Sequence, residues 1–195
     1  MKKQLSIRTM TSIAVLSAVA FVLAFFEFPV PLSPSFARMD LSDFLALIGA
    51  FAFDPVAGIL IELVKNMLGL FSTATSGVGE LANFLMGASF AATAGLIYKQ
   101  HKTKKTALIG WIIGSVVMGI VAALANYFIL LPLFEQFMPL EQMIASFGAF
   151  IPFIKTKLDV VLYNAFPFNL LKGIVITGFT MLVYNRIRPL LKGKE

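Results

Sequence analysis

The chain has 195 residues, of which 58% are hydrophobic and only 13% are charged. Soluble domains carry about 25% charged residues, so this composition argues against a soluble enzyme, and the apolar content excludes a disordered chain. The absence of cysteine excludes disulfides, thiolate metal sites and a cysteine nucleophile. The net charge is +6, and the basic residues flank apolar runs, which favours membrane orientation over nucleic-acid binding.

Apolar segments separated by turn residues predict an all-α membrane protein with six transmembrane helices in a single domain, residues 1–195. The first apolar run is followed by Glu27, Phe28 and Pro29 rather than by a small-residue cleavage site, so we expect this helix to be retained. The second and third helices are short for spans of about 20 residues. The predicted helices cover approximately residues 10–26, 41–53, 56–71, 80–98, 106–131 and 167–184.

Prolines mark several predicted helix ends. Pro132 is expected to end the fifth helix, and Pro167 is expected to occupy the first helical position of the last one. Between them, an interfacial helix is predicted after Pro139. The aromatic residues available there for a lipid surface are Phe147, Phe150 and Phe153.

The distribution of basic residues predicts that both termini are cytoplasmic. This orientation puts 11 of the 16 lysines and arginines on the inner side, in accordance with the positive-inside rule. The loops 28–40, 72–79 and 132–166 then share the outer face, where they can cover a pocket. The inner basic residues are Lys2, Lys3, Arg8, Lys99, Lys102, Lys104, Lys105, Arg186, Arg188, Lys192 and Lys194.

Polar residues inside the predicted helices need a partner or a purpose, because a charge at mid-membrane costs about 2.5–3.5 kcal/mol on insertion scales. Glu62, Lys65 and Asn66 share one face of the third helix, which indicates a self-satisfied pair that locks the helix. Asn126 ends a stripe of small residues that allows close helix packing, and Asn83 lies one turn into the fourth helix. Either asparagine can serve packing or a ligand.

Asn169 and Lys172 are three residues apart and share a face near the outer end of the last helix. The lysine can extend to the membrane surface, as long basic side chains near helix ends do. Alternatively, the amide and the ammonium together can bind a neutral, carbonyl-rich ligand. The residues leave both interpretations open.

Enzymatic chemistry finds little support in the sequence. There is no phosphate-binding loop and no Gly-x-Ser-x-Gly motif, and the one histidine, His101, lies in a basic loop. Asp40 and Asp43 resemble a metal-binding carboxylate pair, but a membrane phosphotransferase would need further carboxylates nearby. We therefore expect neither an enzyme nor a protein with a cofactor.

Several segments together resemble the riboflavin-specific S components of energy-coupling factor (ECF) transporters, over nearly the whole chain. The matching motifs are Phe-Pro-Val-Pro-Leu at 28–32, Ala-Arg-Met-Asp-Leu-Ser-Asp at 37–43, Gly-Val-Gly-Glu-Leu-Ala-Asn-Phe-Leu at 77–85 and Pro-Phe-Asn-Leu-Leu-Lys-Gly at 167–173. The turn after the second helix departs from the family, which often has glycine where this chain has Asp54.

The resemblance implies a six-helix fold in a bacterial plasma membrane, with riboflavin bound in a pocket near the outer face. It also implies as partners two ATP-binding cassette ATPases and a transmembrane coupling protein, and the Ala14-x-x-x-Ala18 ridge resembles the motif by which S components contact the coupling protein. The ligand residues it implies, in decreasing order of support, are Asn169, Lys172, Asn126, then Asp40 and Leu41 in a lid, then Asn83 and Asn66.

The residues agree with an uncharged flavin, because phenylalanines and methionines supply apolar walls while amides and a lysine supply polar contacts. Other functions remain open: an S component for thiamin, biotin or a similar vitamin, a membrane enzyme of lipid head groups, or a structural subunit without a ligand. A cationic vitamin such as thiamin would require carboxylates at the outer pocket, where Asp40 and Glu80 are available.

Overall fold

The computed structural model describes residues 6–29 and 38–192. Two-residue strands, β1 (Phe28–Pro29) and β2 (Arg38–Met39), pair antiparallel on either side of residues 30–37. Most of the predicted proline loop, with Pro31 and Pro34, therefore lies outside the described residues, as do Lys2, Lys3 and Lys194. The helices are α1 (Ile7–Ala24), α2 (Asp43–Ala52), α3 (Pro55–Gly69), α4 (Val78–His101), α5 (Lys104–Ala125), α6 (Leu131–Phe134), α7 (Leu140–Gly148), α8 (Lys157–Val160) and α9 (Phe166–Lys192).

Three irregular turns extend these helices. A 3₁₀ turn, Leu70–Ser72, continues α3, and π-helical turns over Asn126–Leu130 and Val161–Ala165 join α5 to α6 and α8 to α9. Among the described residues, five helical segments are long and apolar enough to cross a membrane. They are Ile7–Ala24, Pro55–Ser72, Val78–His101, Lys104–Phe134 and Lys157–Val183.

The short helix α2 lies at the centre of the bundle. It has only ten residues, yet all of them from Asp43 to Phe51 are buried, and it packs against α1, α3, α4 and α9. Asp54 caps the following helix by accepting a hydrogen bond from the Val56 backbone N–H, and Pro55 occupies the first helical position. The chain therefore reverses tightly and lays α3 antiparallel to α2.

Small residues set the spacing between the antiparallel helices. A Cβ atom built on Gly58 of α3 would lie 2.8 Å from the Ala46 carbonyl oxygen of α2. One on Gly110 of α5 would lie 2.8 Å from the Ala94 carbonyl oxygen of α4. Helix backbones can approach this closely only where a side chain is absent, so these contacts fix the order in which the helices stack.

The bundle has two distinct ends. The end of α4, the short turn after it and the start of α5 carry Lys99, Lys102, Lys104 and Lys105, and we refer to this as the basic end. At the opposite end α2 and α4 begin, α6 terminates and residues 135–156 connect to α8; we call this the loop end.

Both prolines expected to bound helices lie inside them instead. The fifth helix continues through Pro132 to Phe134, and the last begins at Lys157, ten residues before Pro167. A π-helical turn ends two residues before each proline, closed by hydrogen bonds such as Leu131 N–H to the Asn126 carbonyl. The wider turn relieves the clash between the proline ring and the preceding carbonyls, so the prolines do not end these helices.

The helix predicted after Pro139 is present as α7, but one of its aromatic residues lies differently than expected. Phe147 is buried, together with Met143, in a small apolar cluster against the α5–α6 and α8–α9 segments. Only Phe150 and Phe153 are exposed, at 48% and 76%. Phe147 therefore anchors α7 over the loop end instead of facing lipid.

We expect Gly58→Ala to destabilise the fold, because its Cβ would meet the Ala46 carbonyl and the Ala50 and Ala91 methyl groups within 3.0 Å. Overpacking of this kind costs about 1–3 kcal/mol. Thermal unfolding in detergent should show a lower midpoint for Gly58→Ala. The matched control is Gly178→Ala, since nothing lies within 4 Å of a Cβ at that position; an equal loss in both variants would contradict this packing account.

Candidate functional site

Five charged side chains are buried together where α2, α3 and α9 meet. We call Asp40, Asp43, Glu62, Lys65 and Lys172 the charged cluster; they form four ion pairs with distances between 2.6 and 3.6 Å. Each of the five is at least nine-tenths buried. Because an isolated buried charge is very costly, the cluster can exist only through these mutual contacts.

Asp43 is the shared member of the charged cluster. Its Oδ1 lies 2.6 Å from Lys65 Nζ, and its Oδ2 lies 2.8 Å from Lys172 Nζ. The carboxylate therefore joins α3 to α9 through the first turn of α2. Asp40, just before that helix, accepts a 2.7 Å hydrogen bond from the Ser42 backbone N–H and so shapes the entry of the chain into α2.

Glu62, Lys65 and Asn66 interact on one face of α3, as the sequence predicts. Lys65 Nζ lies 2.7 Å from Glu62 Oε2, and Asn66 Nδ2 donates to the Glu62 carbonyl and to Oε2. Lys65 Nζ also donates to Ser42 Oγ at 3.0 Å, so with Asp43 all three of its N–H groups have partners. This lysine is committed to structure.

Lys172 does not extend to the surface, although its position near a helix end allowed that interpretation. Its Nζ donates to Asn83 Oδ1 of α4 at 2.8 Å and lies 2.8 Å from Asp43 Oδ2. Asp40 Oδ2, at 3.6 Å, is too far for a hydrogen bond. Within residues 6–29 and 38–192, one of the three ammonium N–H groups is therefore left for another acceptor.

Asn169 and Asn126 each use one amide N–H locally. Asn169 Nδ2 donates to the Ala165 carbonyl at 2.9 Å, and Asn126 Nδ2 donates to the Ala122 carbonyl at 2.8 Å. Each bond joins residues four apart in one helix. Within the part of the chain that the structure describes, the amide oxygen and a second N–H are left for other partners. Asn126 does not bond across the helix seam in the described contacts, an option that its small-residue stripe had left open.

These residues lie at different depths. Gly119 of α5 contacts Phe166 of α9, and Ser115 contacts Gly173, so the two helices run antiparallel. Asn126 is seven residues beyond Gly119 and thus about 10 Å nearer the loop end. Asn169 lies one turn toward the loop end from Lys172. From the loop end toward the charged cluster, the polar side chains therefore come in the order Asn126, Asn169 and Lys172.

The structure brings together the seven predicted ligand residues only in part. Lys172, Asp40 and Asn83 meet directly, and Asn66 joins them through Glu62 and Lys65. Leu41 is half-buried beside Asp40, whereas Asn169 and Asn126 have no contact to the cluster among the described hydrogen bonds. No described group of three or more His, Cys, Asp or Glu side chains could hold a metal ion.

Two positions of this site did not emerge from the sequence. Asp43 was considered only as a metal ligand, although two buried lysines require a carboxylate between them. Gly87 of α4 was passed over: a Cβ there would lie 2.6 Å from Glu62 Oε2, so the glycine makes room for the buried carboxylate. The only sequence signal for Asp43 is a charge within the otherwise apolar segment 41–53.

A separate surface involves α1. Ile13, Ser17 and Ala20 face the bundle, whereas Ala14 and Ala18 are exposed. This arrangement leaves a flat, small-residue ridge on the outside of the helix. Such ridges allow another helix to pack closely.

Comparison with known proteins identifies the class. The family profile for the substrate-specific component of ECF transporters matches residues 8–184. The riboflavin transporter RibU of Staphylococcus aureus (strain TCH60) is 41% identical over 186 residues, which are 95% of this chain and 93% of that protein. The riboflavin transporter FmnP of Bacillus subtilis (strain 168) is 31% identical over 188 residues, 95% of this chain and 94% of that protein.

A solved structure described as the S component of a bacterial ECF transporter has the same fold. It is 39% identical in sequence, superposes with a TM-score of 0.77, and covers 95% of this chain and 98% of its own. The buried polar cluster thus lies in a substrate-binding membrane protein rather than an enzyme. The chain belongs to the family of substrate-specific S components of ECF transporters.

Proposed function

We propose that this chain is the riboflavin-binding S component of an ECF-type vitamin importer and that its ligand lies between the loop end and the charged cluster. The observation that carries the site is the buried ammonium of Lys172, which keeps an N–H group available one turn below Asn169. The similarity to proteins named riboflavin transporters supports the choice of ligand.

The chemistry of riboflavin suits these groups. Its flat tricyclic ring has a uracil-like edge that offers carbonyl oxygens and an N–H, and its ribityl chain carries hydroxyls. The ammonium of Lys172 can donate to a carbonyl, and the free amide groups of Asn169 and Asn126 can both donate and accept. Ring walls come from the apolar side chains around them, as is usual for small-molecule sites.

The charge of the cluster bears on the choice among vitamins. The cluster contains one more carboxylate than ammonium groups, and the described lysines in it are already paired. A phosphate-bearing flavin would require a cationic cluster, which these residues do not offer. A cationic vitamin such as thiamin is the second candidate, because Asp40 makes only a 3.6 Å ion pair and retains capacity as an acceptor.

For transport we infer the arrangement common to the family. Six helices cross the plasma membrane of a bacterium, α2 being the short one, with the basic end and both termini in the cytoplasm. Riboflavin enters at the outward loop end. A transmembrane coupling protein and two ATP-binding cassette ATPases supply the energy, and the coupling protein docks on the ridge of Ala14 and Ala18.

A titration of the purified protein tests the ligand. Riboflavin fluorescence should be quenched saturably at one ligand per protein, whereas thiamin and biotin should not compete. Asn169→Ala should weaken binding by about 1–3 kcal/mol, the range for a lost buried polar contact.

The matched control for that titration is Thr180→Val, a buried change on the same helix about three turns deeper. Among the described contacts, its hydroxyl donates to the Ile176 carbonyl. Its riboflavin affinity should equal that of the wild type. Saturable binding of thiamin without riboflavin binding would refute the flavin assignment, and equal affinities in Asn169→Ala and wild type would refute the site.

The cysteine-free sequence allows a direct test of orientation. Gln136→Cys at the loop end should react with a membrane-impermeant maleimide in intact cells, because that end faces outward. Lys102→Cys at the basic end should react only after the cells are opened. Labelling in the reverse order would show that the proposed orientation is inverted.

Enlarging Ala14 and Ala18 to leucine should impair riboflavin uptake by cells while leaving the affinity of the purified protein unchanged, because both side chains are exposed on the outside of α1. Gly178→Leu is the control, since it enlarges an exposed small residue on α9. Normal uptake by the Ala14→Leu/Ala18→Leu protein would rule out this ridge as the docking surface.

A further inference from the structure

The two buried lysines differ in how many of their donors are occupied. Lys65 has close contacts to Asp43, Glu62 and Ser42, one for each N–H group. Lys172 has close contacts only to Asn83 and Asp43 within the described residues. Lys172 is therefore the member of the pair that can serve a ligand, and Asp43 is the carboxylate that both lysines share.

Asp43 is itself rigidly held. It lies in the first turn of α2, whose residues from Asp43 to Phe51 are all buried. Lys65 Nζ, 2.6 Å from its Oδ1, fixes one carboxylate oxygen, while the other points to Lys172 at 2.8 Å. The pairing of Lys65 with Glu62 in turn balances the charge of Lys65. The contacts run from α3 through Asp43 to the ammonium on α9.

A lysine needs such a support. Its four-carbon stem is flexible, so ordering it at the moment of binding would cost conformational entropy and weaken the affinity. A carboxylate fixed on a buried helix holds the ammonium before the ligand arrives, which raises affinity by preorganisation.

We propose that Asp43 is the positioning residue for ligand binding: it acts on the ligand only through Lys172, and Lys65 with Glu62 holds Asp43 in place. This inference rests on the proposed function, in which Lys172 contacts riboflavin. It assigns to Asp43 a role in affinity, in addition to its contribution to folding.

Riboflavin titration of three variants tests the proposal. Asp43→Asn preserves the shape of the side chain but removes its charge, and we expect about tenfold weaker binding, equivalent to about 1.4 kcal/mol. The double variant Asp43→Asn/Lys172→Met should bind less than twofold more weakly than Asp43→Asn. The reason is that the Lys172 ammonium contributes little to binding once Asp43 no longer supports it. The charged cluster is neutral in Asp43→Asn and has one excess negative charge in the double variant. Both should therefore fold better than Lys172→Met alone, in which the cluster has two excess negative charges.

The third variant, Asp43→Glu, keeps the carboxylate and adds one methylene. Its affinity should fall between those of wild type and Asp43→Asn, since charge and approximate position are retained. The matched control is Asp54→Asn, which removes a 2.6 Å ion pair to Lys99 at the basic end and should leave affinity unchanged. Thermal unfolding of each variant measures its stability separately from its affinity.

The possible outcomes distinguish failure of the proposed function from failure of the positioning role of Asp43. If the wild type does not bind riboflavin, the proposed function fails. If the wild type binds but Asp43→Asn binds equally well, or if Lys172→Met weakens the Asp43→Asn protein a further tenfold, Asp43 does not act through Lys172 and the positioning role is refuted. Binding by Asp43→Glu that is weaker than by Asp43→Asn would show that Asp43 fills space, and would refute it equally.

Discussion

The shared carboxylate of Asp43, between the ammonium groups of Lys65 and Lys172, is the interaction on which the interior of this protein depends. Each charge placed alone at mid-membrane would cost about 2.5–3.5 kcal/mol on insertion scales. Together they satisfy one another, and the consecutive helices α2 and α3 have to meet α9, which is distant from them in sequence. Removing a single member would leave a buried charge without a partner, which is far more damaging than replacing the whole set.

The short helix α2 makes this meeting possible. A full-length span would carry its first turn to the membrane surface, where water would compete for the carboxylate. With ten residues, α2 instead begins inside the bundle, and its first turn presents Asp43 to α3 and α9. At the loop end, Phe147 holds α7 against the α5–α6 and α8–α9 segments.

Much of the architecture could be predicted from the sequence because hydrophobic runs and turn residues act locally. The apolar segments and the pairing of Glu62 with Lys65 follow from patterns within single helices. The contacts of Asp43 and Lys172 could not be predicted in this way, since the residues are 129 positions apart and only the stacking of helices brings them together. The ends assigned to Pro132 and Pro167 were wrong for a related reason: a π turn, which no residue pattern announces, accommodates each proline.

Those two turns also bear on how the chain can change in length. A π turn contains one residue more than an α turn of the same height. Loss of one residue from Asn126–Leu130 or Val161–Ala165 would therefore convert that turn into regular α-helix and leave the remaining helix in place. The following proline would then clash with the tightened turn, and so the deletion is compatible with a straight helix only if the proline is replaced as well. Each turn and its proline therefore have to change together, and such a paired change would leave the facing of Asn169 and Lys172 the same.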